Sequence, residues 1–354
     1  LSNKIARKRT LFISADVIAD SDFFKMLNRA TGDEAGKCIY YKDKKVVAVC
    51  SNEDKIDSVM EFLRRENSQQ PENSRFKDFV KIRLTDNFKR LEYLWDALDH
   101  NGTQIAKDLR IITNDVTPVA PGIYSGSHFI YESRIYTGDN VRIAPSSVID
   151  ASEGPVYVGD NVEIMPHSYI KGPAAIGANS KIKAGAKIYE DTSFGEWCKV
   201  GGEVENSIIQ SYSNKQHEGF LGHSFLSEWI NIGADTNTSD LKNTYAEIKL
   251  RIADKTVDTG RIFLGLLCGD HTKSSINAMF TTGTVAGICG IVVREWFMPN
   301  YIKSFSWGGK QNSPVYKFEK ALETAKKVMK RRNKEITKEE IELMKAEYEN
   351  AASE

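Results

Sequence analysis

The chain has 354 residues, 41% apolar and 27% charged, which is material for one large or two moderate cores and too apolar for disorder. Forty-eight basic residues balance forty-eight acidic ones, so bulk charge points to neither nucleic acid nor an anionic membrane, and an anionic ligand must be held locally. Five scattered cysteines without a C-x-x-C pair argue against a disulfide framework or zinc knuckle, and no run approaches ~18 uninterrupted apolar residues. The basic start LSNKIARKRT lacks the apolar core of a signal peptide, so a cytoplasmic location is expected, and the opening Leu leaves room for an upstream portion.

In chain order, residues 1–75 predict a small α/β piece. It comprises a strand over RTLFI, a helix over SDFFKMLNRA, a hairpin over KCIYYKDKKVVAVC, a helix over NEDKIDSVMEFLRREN and a loop at SQQPENS. KRLEYLWDALDHNGTQIAKDLRI predicts a helical connection. From Val158 the sequence steps by six: VGDNVE, IMPHSY, IKGPAA, IGANSK, IKAGAK, IYEDTS, FGEWCK, VGGEVE. The first position of every step is apolar, and with 41% apolar residues such a run arises by chance about once in a thousand. The fifth position is small or β-branched throughout: Val162, Ser168, Ala174, Ser180, Ala186, Thr192, Cys198 and Val204.

Period six suits neither a helix nor an ordinary strand. It suits a triangular coil of short strands, each turning one apolar residue onto the axis, with small residues and positive-φ glycines at the corners. The fold class is therefore mainly β, a left-handed parallel β-helix. The period also holds upstream at Ile143 and Ile149, with a three-residue slip at ASEGP, and downstream at Leu226, Ile232 and LCGDHTKSSINAMFTTGTVAGICG. After FSWGGKQNSP the chain turns Lys- and Glu-rich. TKEE (Thr337 to Glu340) is a capping-box start for a final helix, of the kind that closes a β-helix end or packs on a neighbouring subunit. The expected divisions are 1–84, an α/β module; 85–125, a helical connector; 126–300, the β-helix; and 301–354, a helical tail.

The run NKQHEGFLGHSFLSEWINIGADTNTSDLKNTY, coming after the hexapeptides, resembles the acetyltransferase domain of the bifunctional glucosamine-1-phosphate acetyltransferase and N-acetylglucosamine-1-phosphate uridylyltransferase family. GGEVENSIIQSYSNKQHEGFLGHS, LKNTY, GDHTKSSI and FSWGG resemble more closely a variant sugar nucleotidyltransferase branch of Bacteroidetes-type bacteria. The resemblance covers residues 85–335 well and is most specific between His217 and Tyr245. Residues 1–84 resemble only the distal part of the family's nucleotide-binding half, because residues 1–110 contain no Gly-rich, Arg-containing phosphate loop. The amino-terminal module is therefore a partial nucleotidyltransferase.

The resemblance implies acetyl transfer from acetyl-CoA to an amino-sugar phosphate, glucosamine-1-phosphate first, on the way to UDP-N-acetylglucosamine for the cell envelope. Such chemistry needs a base for the attacking amine, a donor for the thioester oxyanion and cations for the phosphate. His217 is the implied base, Asn231 orients the sugar, and the Ala234 N–H receives the oxyanion. Phe220 stands where the family has a Tyr that helps hold the sugar phosphate, and Asp235 replaces a Gly. Lys242 is the nearest cation for the phosphate, with Lys249 and Lys215 behind it, and Asp240 or Asn243 contacts coenzyme or acceptor. His223 and His271 have weaker claims, and Trp197, Trp229 and Trp296 read as packing residues.

No metal site is expected. A zinc carbonic anhydrase, the rival use of a β-helix histidine, needs three converging imidazoles, whereas His217 and His223 fall on different faces. Magnesium would enter only with a complete nucleotidyltransferase half, and the alternative reading is a sugar-phosphate nucleotidyltransferase of a longer chain for which the β-helix is a trimerising scaffold. The expected partners are small molecules and copies of the chain itself in a homotrimer. The break in the six-residue rhythm at Ser213 to Gly222 predicts a protruding corner there.

Overall fold

The computed structural model describes residues 9–31, 37–52, 59, 77–112, 118–120, 122–252, 255–293, 297–308 and 313–353, in two compact units divided between Tyr93 and Leu94. In the first unit β1 (Arg9–Ile13), β2 (Cys38–Lys42), β3 (Lys45–Asn52) and β4 (Val80–Arg83) form one sheet in the order β1-β3-β2-β4. β2 and β3 are the expected hairpin, turning through Asp43 and Lys44, both at positive φ as a primed two-residue turn requires. Helix α1 (Ser21–Thr31) buries the stripe Phe23, Met26 and Leu27, and Asp20 caps it by accepting the Phe23 N–H at 3.0 Å. The helix expected over 52–67 lies outside the described residues apart from Asn52, which ends β3, and Val59. The SQQPENS loop lies outside them too.

In the second unit period six becomes a left-handed parallel β-helix. Its first face stacks nine strands, from Ile135–Thr137 to Tyr301–Ile302. The second face runs from Arg142–Ile143 to Asn214–Lys215 and continues through Asn231, Lys273–Ser274 and Ile291–Val292. The third runs from His128–Ile130 to Phe220–Gly222 and then Asn237–Thr238 and Met279–Phe280. All eight first positions, from Val158 to Val200, are buried on the axis, each aliphatic side chain contributing about 1.5–3 kcal/mol. The buried hydroxyls are satisfied by carbonyls of the next coil: Ser168 donates to Lys183 O at 3.1 Å and Ser180 to Gly195 O at 3.0 Å.

The rhythm changes for identifiable reasons. The ASEGP slip is a longer corner, 151–155, between the third and first faces. Ile170 sits on Ile188, but Ile188 sits on Val204 because Gly201 and Gly202 make a corner two residues shorter, and the next corner, between Val204 and Ile209, is one residue shorter again, so Phe194 sits on Ile209 and Val200 on Lys215. Val204 is therefore an axis residue of the third face rather than a corner residue. The corner of residues 216–219 has the length of the one at 183–186, so the rhythm break expected to make a protruding corner there comes instead from the shorter corners of the preceding coil. The long excursion comes later. After Thr238 the chain leaves the coil, forms the hairpin Lys249–Ile252 with Lys255–Asp258, and rejoins the first face where Leu267 meets Phe225.

Positive φ at the first-to-second corner is not glycine's work. Asn140, Asn161, Asn179, Trp197, Tyr212, Trp229, His271, Cys289 and Phe305 occupy it in successive coils. Stacking compensates for the strain. The asparagine amides form a ladder at 3.3 Å, and Tyr212 stacks on Trp229 (4.2 Å, 6°), which stacks on His271 (6.2 Å, 6°). Trp229 is thus a packing residue, whereas Trp197 is exposed and carries the Arg332 guanidinium over its ring at 5.6 Å, and Trp296 lies outside the described residues.

Burial pushes the His271 imidazole down to about 4, and its Nδ1 has no hydrogen-bond partner among the described residues. Between pH 6.5 and 4 the unfolded chain binds a proton that the folded chain refuses, so stability falls on acidification through that window. His271→Phe is expected to remove about 3 kcal/mol of that acid loss, measured by urea unfolding at pH 7 and pH 4. Parallel pH dependences in the two proteins would refute it.

Helices α3 (Phe318–Lys330) and α4 (Lys338–Ser353) fold back on this corner and the last coils. Met329 packs on Tyr212 and Trp229, while Ala321, Ala325 and Met344 pack with Cys289, Phe305 and Tyr316. The capping box is present: Thr337 Oγ1 accepts the Glu340 N–H at 3.1 Å and Glu340 Oε2 accepts the Thr337 N–H at 2.6 Å. Helix α2 (Asp96–Ile112) lies on the third-to-first corner, where Gly102 packs against Asp191 and Asn101 donates to Asp191 O at 2.7 Å. No described helix is long and apolar enough to cross a membrane.

Candidate active site

His217 lies at the second-to-third corner, exposed, and no protein group hydrogen bonds its ring among the described residues. One coil further on, the same corner is made by Ala234, Asp235 and Thr236, and Gly219 stacks closely on the Thr236 carbonyl. Asp235 takes positive φ at the turn, which a glycine would accept with less strain. The Ala234 carbonyl accepts from Asn277, while its N–H finds no protein acceptor among the described residues. Asn231, exposed on the second face, follows Asn214 and precedes Lys273 in one outward column. His217, Asn231 and Ala234 are thus gathered on adjoining coils.

Lys215 is the unexpected member. The second-face axis ladder reads Ile143, Ile164, Ile182, Val200 and then Lys215, which is 2% exposed. The ammonium donates to His217 O at 2.6 Å and to Gly201 O at 3.1 Å, and burial pushes it down to about 8. Gly202 makes this possible. It sits at φ +71, and a Cβ there would lie 2.7 Å from Lys215 Nζ and 2.8 Å from His217 O. As an inward group held by two carbonyls, Lys215 does not face a sugar phosphate; it anchors the corner that carries His217.

The third face, beside that corner, presents an outward column of Lys187, Glu203 and Phe220, whose following residues Ile188, Val204 and Leu221 fill the axis. Lys187 is close enough for its charge to disfavour the Lys215 ammonium. Phe220 donates its N–H to Asn237 Oδ1 at 2.8 Å, and its half-buried ring covers Gly222. Tyr189, edge-on to Tyr169 at 6.1 Å, stands in the next column with Glu205; burial and then Glu203 raise its phenol.

At the far edge of the third face, His223 Nδ1 lies 2.8 Å from Asp240 Oδ2 and its ring stacks on Phe263. Burial holds the neighbouring Glu205 carboxyl above its usual range, with Asp240 adding to the shift, and burial likewise raises Asp191. Asp240 is therefore engaged with His223 at this edge rather than beside His217. Lys242 and Asn243 lie beyond it, lining an open cleft of about 400 Å³ with Ser239, Thr282 and Phe297, and Lys242 Nζ donates to Glu247 O at 2.8 Å. Lys249 stands on the hairpin, 3.7 Å from Asp258. None of the three lysines expected to hold phosphate shares the outward column next to His217. Lys187 and Glu203 do, and sequence reasoning missed them because only the coil register brings them there.

Residues 2–117 match the model of the sugar nucleotidyl transferase family, and residues 155–190 match that of the bacterial transferase hexapeptide. A bifunctional sugar-1-phosphate nucleotidylyltransferase/acetyltransferase of Sulfurisphaera tokodaii is 31% identical over 33% of this chain and 34% of its own length. The bifunctional protein GlmU of Paraburkholderia phytofirmans is 26% identical over 40% of this chain and 31% of its own. The chain thus spans about a third of the length of the curated relatives it matches. Among solved structures, LpxA of Bacteroides fragilis, a UDP-N-acetylglucosamine acyltransferase, aligns at TM-score 0.39 and 17% identity, over 63% of this chain and 80% of that one.

Proposed function

We propose that this chain is an acetyl-CoA-dependent N-acetyltransferase of an amino-sugar phosphate, glucosamine-1-phosphate first, serving UDP-N-acetylglucosamine synthesis in the cytoplasm. The observation that carries the reading is the corner itself: an exposed imidazole whose backbone is anchored from inside by Lys215, one coil from a backbone N–H with no protein acceptor among the described residues. In this mechanism the sugar amine attacks the thioester carbonyl and His217 takes the amine proton. The Ala234 N–H receives the negative charge on oxygen, the C–S bond breaks as the C–N bond is completed, and the coenzyme thiolate is protonated. Asn231 orients the sugar and Phe220 packs against it.

Lys187 takes the phosphate in place of Lys242. Lys187→Ala is then expected to raise KM for the phosphorylated sugar about tenfold or more, with Lys242→Ala changing it less. The reverse order would return the role to Lys242. The decisive experiment incubates the chain with acetyl-CoA and a panel of amino-sugar phosphates and follows free thiol; no release above background with any of them overturns the reading.

Acetyl-CoA needs a groove, which a second subunit would complete beside the exposed His217. A homotrimer with His217 near each boundary is the proposed assembly. Light scattering is expected to give three times 39.7 kDa, and a fully active monomer would sink the shared site. A second reading rests on the match of residues 2–117 to sugar nucleotidyl transferases: a longer chain that transfers a nucleotide with magnesium, on a β-helix scaffold.

A further inference from the structure

Three successive coils each place one metal-ligating side chain at the third-to-first corner: Glu205, His223 and Asp240. One ligand atom from each lies within 4.8 Å of the other two. The corner is built around them. His223 takes positive φ to turn its ring over the corner, and Phe263 stacks on that ring at 5.0 Å and 24°. Gly222 leaves a cradle for the Asp240 carboxylate, since a Cβ at Gly222 would lie 2.4 Å from Asp240 Oδ2. Asp240 is buried and Glu205 half-buried, yet among the described residues no Lys or Arg forms an ion pair with either, and Asp191 brings a further carboxylate to the same corner.

Two confined carboxylates with one imidazole between them are short of positive charge, and their mutual repulsion is largest where water is least able to screen it. A doubly charged ion would correct both. The donor set selects the ion: an imidazole nitrogen with two carboxylate oxygens suits a first-row transition metal and not magnesium or calcium. Bonds of roughly 2.0–2.2 Å would draw the three atoms in from their present spacing. We propose that Glu205, His223 and Asp240 form a binding site for a divalent transition ion of the zinc class, pinning three coils together with a fourth position open to solvent.

The test is a zinc titration of the chain after chelator treatment, by calorimetry, with cobalt(II) absorption as a second probe. One equivalent is expected to bind with micromolar or tighter affinity and to raise the melting temperature. Glu205→Gln and His223→Ala should each weaken binding at least tenfold, while His217→Ala, at the other corner, leaves it unchanged. Circular dichroism of each variant separates lost ligation from lost folding, and Glu205→Gln, on an accessible strand end, keeps the test available if His223→Ala does not fold. Less than one equivalent bound at 100 µM zinc, or an unweakened zinc affinity in the folded Glu205→Gln and His223→Ala variants, would overturn the site.

Discussion

His217→Ala is expected to lower the turnover of acetyl transfer by about 10²–10⁴-fold while the fold stays intact. The first half follows from the chemistry: if one imidazole takes the amine proton, its removal leaves proton transfer to water, and the loss falls on kcat rather than on KM. The second half follows from the corner. The His217 side chain is exposed and bonds no other group among the described residues, and the contact that fixes this corner, from the Lys215 ammonium to the His217 carbonyl, belongs to the backbone and survives truncation at Cβ. Turnover and thermal unfolding are measured on the same preparation. Near-wild-type turnover would remove His217 from the reaction, whereas a collapse of the melting temperature would show a structural role the exposure does not suggest.

The β-helix was legible because every coil repeats the same demand. An axis residue must be apolar wherever the neighbouring coils are, and six-residue spacing from Val158 to Val200 records that demand eight times. What the period could not carry was the register through its break after Val200, although it resumes at Leu226 and Ile232. Gly201 and Gly202 shorten one corner by two residues, so Val204 moves onto the axis, and the next corner is shorter by one, which brings Lys215 onto the second face. Without that shortening a reader has no means of knowing whether Lys215 points in or out, and lysine's polarity argues for out.

Glu205, His223 and Asp240 were hidden for the opposite reason. They touch only because coils stack, and their wide, unequal spacings match no local ligand motif. Lys242 and Lys249 stand where the chain has left the coil. After Thr238 no repeat constrains Lys242 or Lys249, and both have local partners, Glu247 O and Asp258. The corner residues Tyr212, Trp229 and His271 show a further limit: glycine was expected at positive φ, but stacking along a column favours large flat side chains enough to hold that backbone.

Lys215→Met is expected to change how stability responds to alkali. In the folded chain burial pushes the Lys215 ammonium down to about 8, against 10.5 when exposed. Below pH 8 both states are protonated, and the folded state bears the whole cost of a charged group on the axis, about 3 kcal/mol. Between pH 8 and 10.5 the unfolded chain keeps a proton that the folded chain has released, so this residue's contribution to stability rises with pH through that window. Methionine fills the same space without titrating. It also strips the donor from Gly201 O and His217 O, at about 1–3 kcal/mol for a carbonyl left dry, so the two effects nearly offset each other at pH 7. The pH slope separates them: from pH 7 to pH 10 the wild type should gain about 2–3 kcal/mol relative to Lys215→Met in urea unfolding. Loosening the His217 carbonyl should at the same time reduce turnover. If the two proteins keep the same stability difference at both pH values, Lys215 does not titrate on the axis, and its ammonium reaches water by a path the buried geometry does not contain.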